Sequence, residues 1–299
     1  CDDGVNNGTF GLCNNTCTGI EDSEFVFISS VPSQRGQILA MAEAGGQLFV
    51  GLEGAVAILS DDTDSGVWSV ELLSPPTTQR VIDIESDGVN VYALTDDGLY
   101  QMDGGTWEKD DVYSGVNNTA MVSFGGLIRV SNISGIVFAD SNSGPVTGGI
   151  NRPIYDMYVY DSRIFVSTNA GAYRSSDGVN FTFDPFTVPG GVPIVPQARF
   201  TEVNGILYAS HDGISTYSYD GANWTEISSE GFRAPVEIDN VLYALSDSGI
   251  KFYNDSVSDW VDSVSNPLGD QFSSVVKFAN SIFAGSTNGS VYRVGDLTQ

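Results

Sequence analysis

The chain is poor in the residues that many enzymes and nucleic-acid-binding proteins depend on. It has one histidine, His211, so no multi-histidine metal site can form. Asp and Glu outnumber Lys and Arg by 38 to 12, which gives a net charge of −26. This charge repels phosphate backbones and anionic lipid heads, so neither nucleic acid nor a membrane surface is expected as a partner.

Long apolar runs and long amphipathic helices are also missing. Residues 41–59 come closest to a membrane span, but they carry Glu43, Glu53 and two glycine breaks. They therefore predict two strands, and no transmembrane segment is expected. No stretch sustains an apolar period of 3.6 residues with caps at both ends, so we predict no long helix.

The most prominent feature present is a phrase repeated seven times. An apolar strand is followed by a short polar turn and a glycine, as in VYALTDDG, IFVSTNAG and LYALSDSG. The repeated glycines are Gly54, Gly98, Gly135, Gly171, Gly213, Gly249 and Gly289. Each repeat holds short strands rich in β-branched and aromatic residues, bounded by turn-forming residues. A period near 40 residues with several strands per unit is typical of a β-propeller.

We therefore predict an all-β fold, a seven-bladed β-propeller with four-stranded antiparallel blades over residues 21–299. The last unit shows only three strand signals, and EFVFISS at residues 24–30 matches the outer-strand pattern. We expect this N-terminal strand to complete the seventh blade, because pairing it there removes an open sheet edge. Residues 1–20 are predicted to form a separate Cys-rich arm.

A second phrase places one aromatic residue near the outer strand of most units. Its members are Trp68, Trp107, Phe181, Trp224 and Trp260. We expect these rings to pack blade against blade rather than to stack on sugars. The third unit lacks the aromatic residue, so its outer strand has the weakest signal.

Two segments carry a resemblance to a known class of propeller. YRSSDGVNFT (residues 173–182) resembles a shortened Asp-box, and SYDGANWT (residues 218–225) resembles a variant of it. The units are thus similar to those of secreted bacterial propellers of the Asp-box, sortilin-like and regulator-propeller kind. The resemblance implies a bladed scaffold and export, and it implies no particular activity.

The N-terminal segment carries all three cysteines, Cys1, Cys13 and Cys17. CDDGVNNGTFGLCNNTCTG resembles the short CDDG repeats of secreted and surface proteins, notably of myxobacterial type, which implies disulfide bonding. The odd number leaves three interpretations open. Cys1 is a lipid-anchored N-terminus and Cys13 pairs with Cys17; Cys1 pairs with Cys13 and Cys17 bonds another chain; or a fourth cysteine has been removed.

Glycosylation is predicted from sequons, which mark surface loops of secreted glycoproteins. The candidate acceptors are Asn7, Asn14, Asn117, Asn132, Asn180, Asn223, Asn254 and Asn288.

The turns between second and third strands supply candidate ligand-binding residues, because ring symmetry gathers them at one channel mouth. These are Asp96, Asp97, Asn169, His211, Asp212 and Asp247. Their oxygen-rich side chains would suit Ca²⁺ as a cofactor if a metal binds there.

These observations predict an extracellular or cell-surface binding or adhesion module that is not an enzyme. Its ligand would be a protein, a glycan or copies of itself. One alternative is a structural subunit of an extracellular filament or surface layer, linked through the N-terminal arm. Another is a carbohydrate-active enzyme, although no nucleophile-elbow or phosphate-loop motif is present.

Overall fold

The computed structural model describes residues 25–30, 36–60, 68–74, 77–110, 117–135, 137–138, 145–146, 150–184, 198–247, 249–265, 271–279 and 281–294. These residues form 28 β-strands and no helix. The strands lie in five four-stranded sheets and one eight-stranded sheet. The predicted all-β class is confirmed.

The strands follow one another in groups of four, and the first strand of the chain belongs to the last group. In chain order they are β1 (Phe25–Ser30), β2 (Met41–Ala44), β3 (Gln47–Leu52), β4 (Ala55–Leu59), β5 (Trp68–Ser74), β6 (Val81–Ser86), β7 (Val91–Thr95), β8 (Gly98–Asp103), β9 (Thr106–Lys109), β10 (Asn118–Phe124), β11 (Leu127–Asn132), β12 (Val137–Phe138), β13 (Pro145–Val146), β14 (Ile154–Tyr160), β15 (Arg163–Thr168), β16 (Gly171–Ser175), β17 (Thr182–Asp184), β18 (Arg199–Val203), β19 (Ile206–His211), β20 (Ser215–Tyr219), β21 (Trp224–Ser228), β22 (Arg233–Ile238), β23 (Val241–Ser246), β24 (Gly249–Asn254), β25 (Asp259–Ser265), β26 (Phe272–Phe278), β27 (Ser281–Ser286) and β28 (Ser290–Val294).

Within each group the strands pair antiparallel in sequence order. The eight-stranded sheet contains two such groups, β2 to β5 and β6 to β9, joined by a short parallel contact in which Leu73 faces Trp107. The last group runs β26, β27, β28 and then β1, with Phe27 opposite Tyr292. The prediction that an N-terminal strand completes the last sheet is confirmed, and the pairing covers the outer edge of β28.

The first strands of successive groups lie side by side around a central channel. Strand β2 contacts β6, and the series continues through β10, β14, β18, β22 and β26. Strand β26 in turn contacts β2. We call these the inner strands, and their succession places the channel at the centre of the molecule.

Backbone hydrogen bonds connect the repeated turns to the segments that lead into the next group of strands. The amide of Asn118 donates to the Asp96 carbonyl, and the amide of Gly213 donates to the Gly231 carbonyl at 2.8 Å. Gly135 shows why the turn requires glycine: its φ is +80°, and an added Cβ would lie 2.5 Å from the Arg152 carbonyl oxygen. We call the side of the molecule that carries these connections between second and third strands the turn face.

The repeated aromatic residues pack between groups, as predicted. The Trp107 ring is fully buried and meets Phe49 of the preceding group edge-on, with ring centroids 6.3 Å apart. Trp224 makes the same kind of contact with Phe165. Trp260 donates its indole N–H to Thr216 Oγ1 at 3.2 Å. Each ring therefore fills the space between neighbouring sheets.

Two local predictions need correction or completion. Residues 41–59 form three strands rather than two, because the turn at Gly45 and Gly46 is followed by a second turn at Gly54. The third unit, which lacks the repeated aromatic residue, has short outer strands, β12 and β13, of two residues each. The predicted arm, residues 1–20, and the Trp68 side chain lie outside the described residues.

Candidate functional site

A cavity of about 500 Å³ occupies the central channel. It extends from Asp212 and Thr287, in connections on the turn face, to Asp83 and Asp156 on the inner strands β6 and β14. Its size lies within the range of small-molecule pockets, and its wall mixes charged and aromatic side chains. The cavity is the candidate functional site.

Asp83 is the first charged group of this wall. Its Oδ2 accepts a hydrogen bond from the Met121 amide at 2.8 Å, and its Oδ1 accepts one from the Ile84 amide at 3.0 Å. Burial, with a smaller contribution from the nearby Asp156, raises the pKa of this carboxyl to about 7, while the backbone hydrogen bond from Met121 and the charge of Arg199 oppose the rise. Asp83 therefore joins β6 to β10 and titrates near neutral pH.

Asp156 repeats this arrangement two groups further along the ring. Its Oδ2 accepts from the Phe200 amide at 2.8 Å, and its Oδ1 lies 3.3 Å from a guanidinium nitrogen of Arg199. Burial raises the pKa of Asp156, and the adjacent Arg199 opposes that rise. Each carboxylate thus links one inner strand to the next while facing the channel.

A third carboxyl lies beyond Asp83 on the same strand. Burial raises the pKa of Glu85 to about 8, with Asp83 adding to the effect. Nearby on β14, the Tyr158 hydroxyl accepts a hydrogen bond from the Glu202 amide at 3.2 Å. Burial also raises the pKa of Tyr158, so the surroundings of both side chains disfavour their charged forms.

Arg233 lies between two turns at the mouth. One of its terminal nitrogens is 2.6 Å from Asp247, and the other is 3.8 Å from Asp212. The three side chains are 29%, 77% and 58% exposed, respectively, so water screens the pair energies. The arrangement orients the guanidinium at the entrance to the cavity.

The turn residues that were predicted to bind a ligand do not form one cluster. Asp212 and Asp247 meet at Arg233, whereas Asp96 and Asp97 line a second cavity of about 490 Å³ on the turn face. Asn169 bridges to Gly171 within its own turn. The His211 carbonyl accepts a hydrogen bond from the Ile214 amide. Whether any of them binds a ligand stays a prediction.

The described residues offer no ready metal site. No three His, Cys, Asp or Glu side chains among them lie together as candidate ligands. Ca²⁺ binding stays a prediction.

Of the predicted sequons, Asn132 is 5% exposed and its side-chain oxygen accepts from the Ser134 amide, so a glycan there is not supported. The exposed acceptors are Asn117, Asn180, Asn223 and Asn288, and Asn254 is half-buried. Asn7, Asn14 and the three cysteines lie outside the described residues.

The channel residues Asp83, Asp156, Arg199 and Arg233 were not predicted from the sequence. A signal existed for the first two, because VIDIES and IYDMYVY each place a lone Asp inside an apolar strand. Both residues also stand at the same distance before the repeated glycine of their unit. A charged residue that recurs at one position of a buried strand indicates a shared environment.

Comparisons with known proteins identify the fold. No protein family matches the chain, and no curated protein matches its sequence. Among solved structures it is similar to the extracellular domain of BT4673 from B. thetaiotaomicron, with a TM-score of 0.72 and 11% identity over 93% of this chain, which spans 40% of that one. It is also similar to virginiamycin B lyase from Staphylococcus aureus, with a TM-score of 0.73 and 10% identity over 92% of this chain and 99% of that one.

A third similar structure is that of YCF48 bound to D1 peptide, with a TM-score of 0.69 and 14% identity over 93% of this chain and 98% of that one. At such identities the likeness shows the β-propeller fold alone. In the part of the chain that the structure describes, no helix has the length and apolar character of a membrane span.

The prediction that this protein is not an enzyme is wrong. Virginiamycin B lyase, an enzyme, shares the architecture over nearly its whole length. The sequence argument rested on missing motifs, and motifs cannot report carboxyl groups that a ring brings together from distant strands. Raised pKa values in the channel are an example of what that argument overlooked.

Proposed function

We propose that this protein is a seven-bladed propeller that binds a segment of a partner protein at the turn face, outside the cell or on its surface. The observation that carries the proposal is the cavity that runs from the turn residues Asp212 and Thr287 down to Asp83 and Asp156. A partner segment that covers the mouth would place one side chain into this cavity. The peptide-bound structure of YCF48 supports such a use of the fold.

Charge indicates the kind of segment. The whole chain carries a net charge of −26, and at the mouth two carboxylates, Asp212 and Asp247, face the single guanidinium of Arg233. A basic segment would be steered toward this surface, and salt would weaken its binding.

Export is supported by the exposed sequons and by the extracellular origin of the BT4673 domain.

Biolayer interferometry with immobilised lysine-containing peptides, and with twins in which glutamate replaces lysine, tests the binding role. We expect the lysine peptides to bind, salt to weaken the binding, and a double variant Asp212→Asn, Asp247→Asn to bind less. Asp103→Asn, an exposed residue at the end of β8, is the control for loss of charge. Equal binding by both peptide classes, or equal loss in the control, would contradict the proposal.

Two further measurements address the finer parts of the proposal. An experimental density map viewed along the channel should show seven sectors, and six or eight would refute the count. Protease treatment of intact source cells should digest the protein if it lies on the surface. Protection until the cells are lysed would contradict that location.

A further inference from the structure

We propose that the channel binds an organic carboxylate between Arg199 and Arg233. A free small acid and the C-terminal carboxylate of a partner segment would present the same chemistry. The proposed function places a basic segment at the mouth, where Asp212 and Asp247 attract it. The carboxylate site goes beyond that function, because it uses groups of the opposite charge inside the cavity.

The first argument is the position of the two arginines. Each pairs with the penultimate residue of the second strand in its group: Arg199 with Ser210 on β19, and Arg233 with Leu245 on β23. They therefore stand at the same level of the channel on neighbouring inner strands, β18 and β22, and both line the cavity. Two cations on adjacent strands repel each other, and an anion placed between them offsets that repulsion.

The second argument is the set of open donors on Arg199. Its one hydrogen bond among the described residues joins Nη1 to the Asp156 Oδ1 atom at 3.3 Å. The edge formed by Nε and Nη2 has no hydrogen-bond partner in that part of the chain. A guanidinium edge of this kind makes two parallel hydrogen bonds to a carboxylate. The side chain is 52% exposed and lines the cavity, so a ligand can reach it.

The third argument is that Arg233 is held by carboxylates that a ligand can replace. Its Nη2 atom is 2.6 Å from Asp247, which is 77% exposed. Its Nη1 atom is 3.8 Å from Asp212, which is too far for a hydrogen bond. Exposed ion pairs contribute little stability, because water screens them. A ligand carboxylate can therefore accept from Nη1 or take the place of Asp247.

The backbone beside Arg233 is strained. Strand β22 shifts register between Arg233 and Val236, and Ala234, within the shift, has a φ of +44°. Ala234 is the only residue other than glycine with a positive φ inside the inner strands that the structure describes. This conformation costs stability, and bulges next to binding sites re-aim side chains. A need to direct the Arg233 side chain into the cavity accounts for that cost.

The wall beside Arg233 indicates an acid with an apolar body. Phe232 and Pro235 lie within two residues of the arginine, line the cavity and are half-buried. A ring attached to the carboxylate would cover part of this apolar surface. The net charge of −26 opposes the approach of an anion, so the affinity has to come from contacts inside the cavity. For a ligand of the size of benzoate we expect a dissociation constant on the order of 1 mM.

Ligand-observed NMR titration of the whole chain with benzoate tests the site. Benzamide, a neutral analogue of the same shape, is the control. We expect saturable binding of benzoate and no measurable binding of benzamide over the same concentrations. A lysine-containing peptide with a free C-terminal carboxylate and its amidated twin form a second arm. Stronger competition by the free form identifies a partner segment as the source, and equal or absent competition, with benzoate still bound, identifies a free small acid.

Three variants locate the carboxylate. Arg199→Lys keeps a positive charge beside Asp156 but lacks the two-donor edge, so it should weaken benzoate binding about tenfold and keep a melting temperature close to that of wild type. The control Arg163→Lys, at the start of β15, should not change the affinity. Asp247→Asn tests the site without altering either arginine. It removes a carboxylate that competes for Arg233, so benzoate should bind about two- to fivefold more tightly.

The carboxylate site and the proposed function fail separately. No saturable benzoate binding at ten times the expected dissociation constant, equal binding of benzamide, or unchanged affinity in Arg199→Lys would overturn the site. Weaker benzoate binding in Asp247→Asn would do the same. Loss of the Asp247 carboxylate should weaken lysine peptides and strengthen benzoate, so one residue shifts the two ligands in opposite directions. Failure of all lysine peptides to bind, with benzoate still bound, would overturn only the proposed function.

Discussion

The raised pKa of Asp83 predicts that folding stability depends on pH in an unusual direction. Burial moves this pKa from 3.8 to about 7, so the folded protein holds the proton more tightly than the unfolded chain does. The contribution of this group to stability is then greatest below pH 4 and falls as the pH rises through 7. At 1.36 kcal/mol for each pH unit, the loss by pH 8 is about 4 kcal/mol.

Replacing Asp83 by Asn removes this dependence. The amide cannot ionise, but its nitrogen faces a backbone N–H, from Met121 or Ile84, at a cost of about 1–3 kcal/mol at every pH. Relative to wild type, the variant should therefore be less stable at pH 4 and more stable at pH 8. The difference between the two free energies of unfolding should swing by about 4 kcal/mol over this range.

Urea unfolding of wild type, Asp83→Asn and the exposed control Asp103→Asn at half-unit pH steps measures this swing. The control corrects for the loss of one negative charge from a strongly acidic protein. A variant-minus-wild-type difference that stays constant within about 0.5 kcal/mol from pH 4 to 8 would refute the reasoning, because that is the scatter of ordinary surface substitutions.

Two other substitutions test the packing between groups. Trp107→Ala should lower the free energy of unfolding by about 3–5 kcal/mol, because the ring is fully buried, while the exposed neighbour Glu108→Ala should have little effect in the same urea titration. Gly135→Ala should cost clearly more than Gly125→Ala. Both positions have positive φ, but only at Gly135 would the new Cβ meet the backbone of Arg152, and equal melting temperatures for the two variants would contradict the close approach.

Most of the fold could be predicted because its signals are local. Each repeated turn needs a glycine where the chain bends, and each strand carries its own apolar pattern, so the units are readable one at a time. The buried aromatic residues, such as Trp107 and Trp260, could be aligned for the same reason. Even the closing strand was visible as a missing fourth element of the last unit.

The channel cluster could not be predicted because it depends on contacts between units. Asp83 and Asp156 are separated by a whole unit in sequence, and only the ring places both beside Arg199. Their raised pKa values come from burial in the channel, which no local pattern reports. The lone Asp within each apolar strand was the available sign, and a comparison of the inner strands with one another would have found it.

Closure of the ring by the N-terminal strand is the claim on which the channel, and hence the candidate site, depends. Hydrogen–deuterium exchange of residues 290–294 tests it in three chains: the whole chain, one lacking residues 1–20, and one lacking residues 1–30. The account predicts equal protection in the first two and, in the third, loss of protection at the β28 amides that face β1, together with lower stability of the whole ring. Unchanged protection of β28 after removal of residues 1–30 would contradict it.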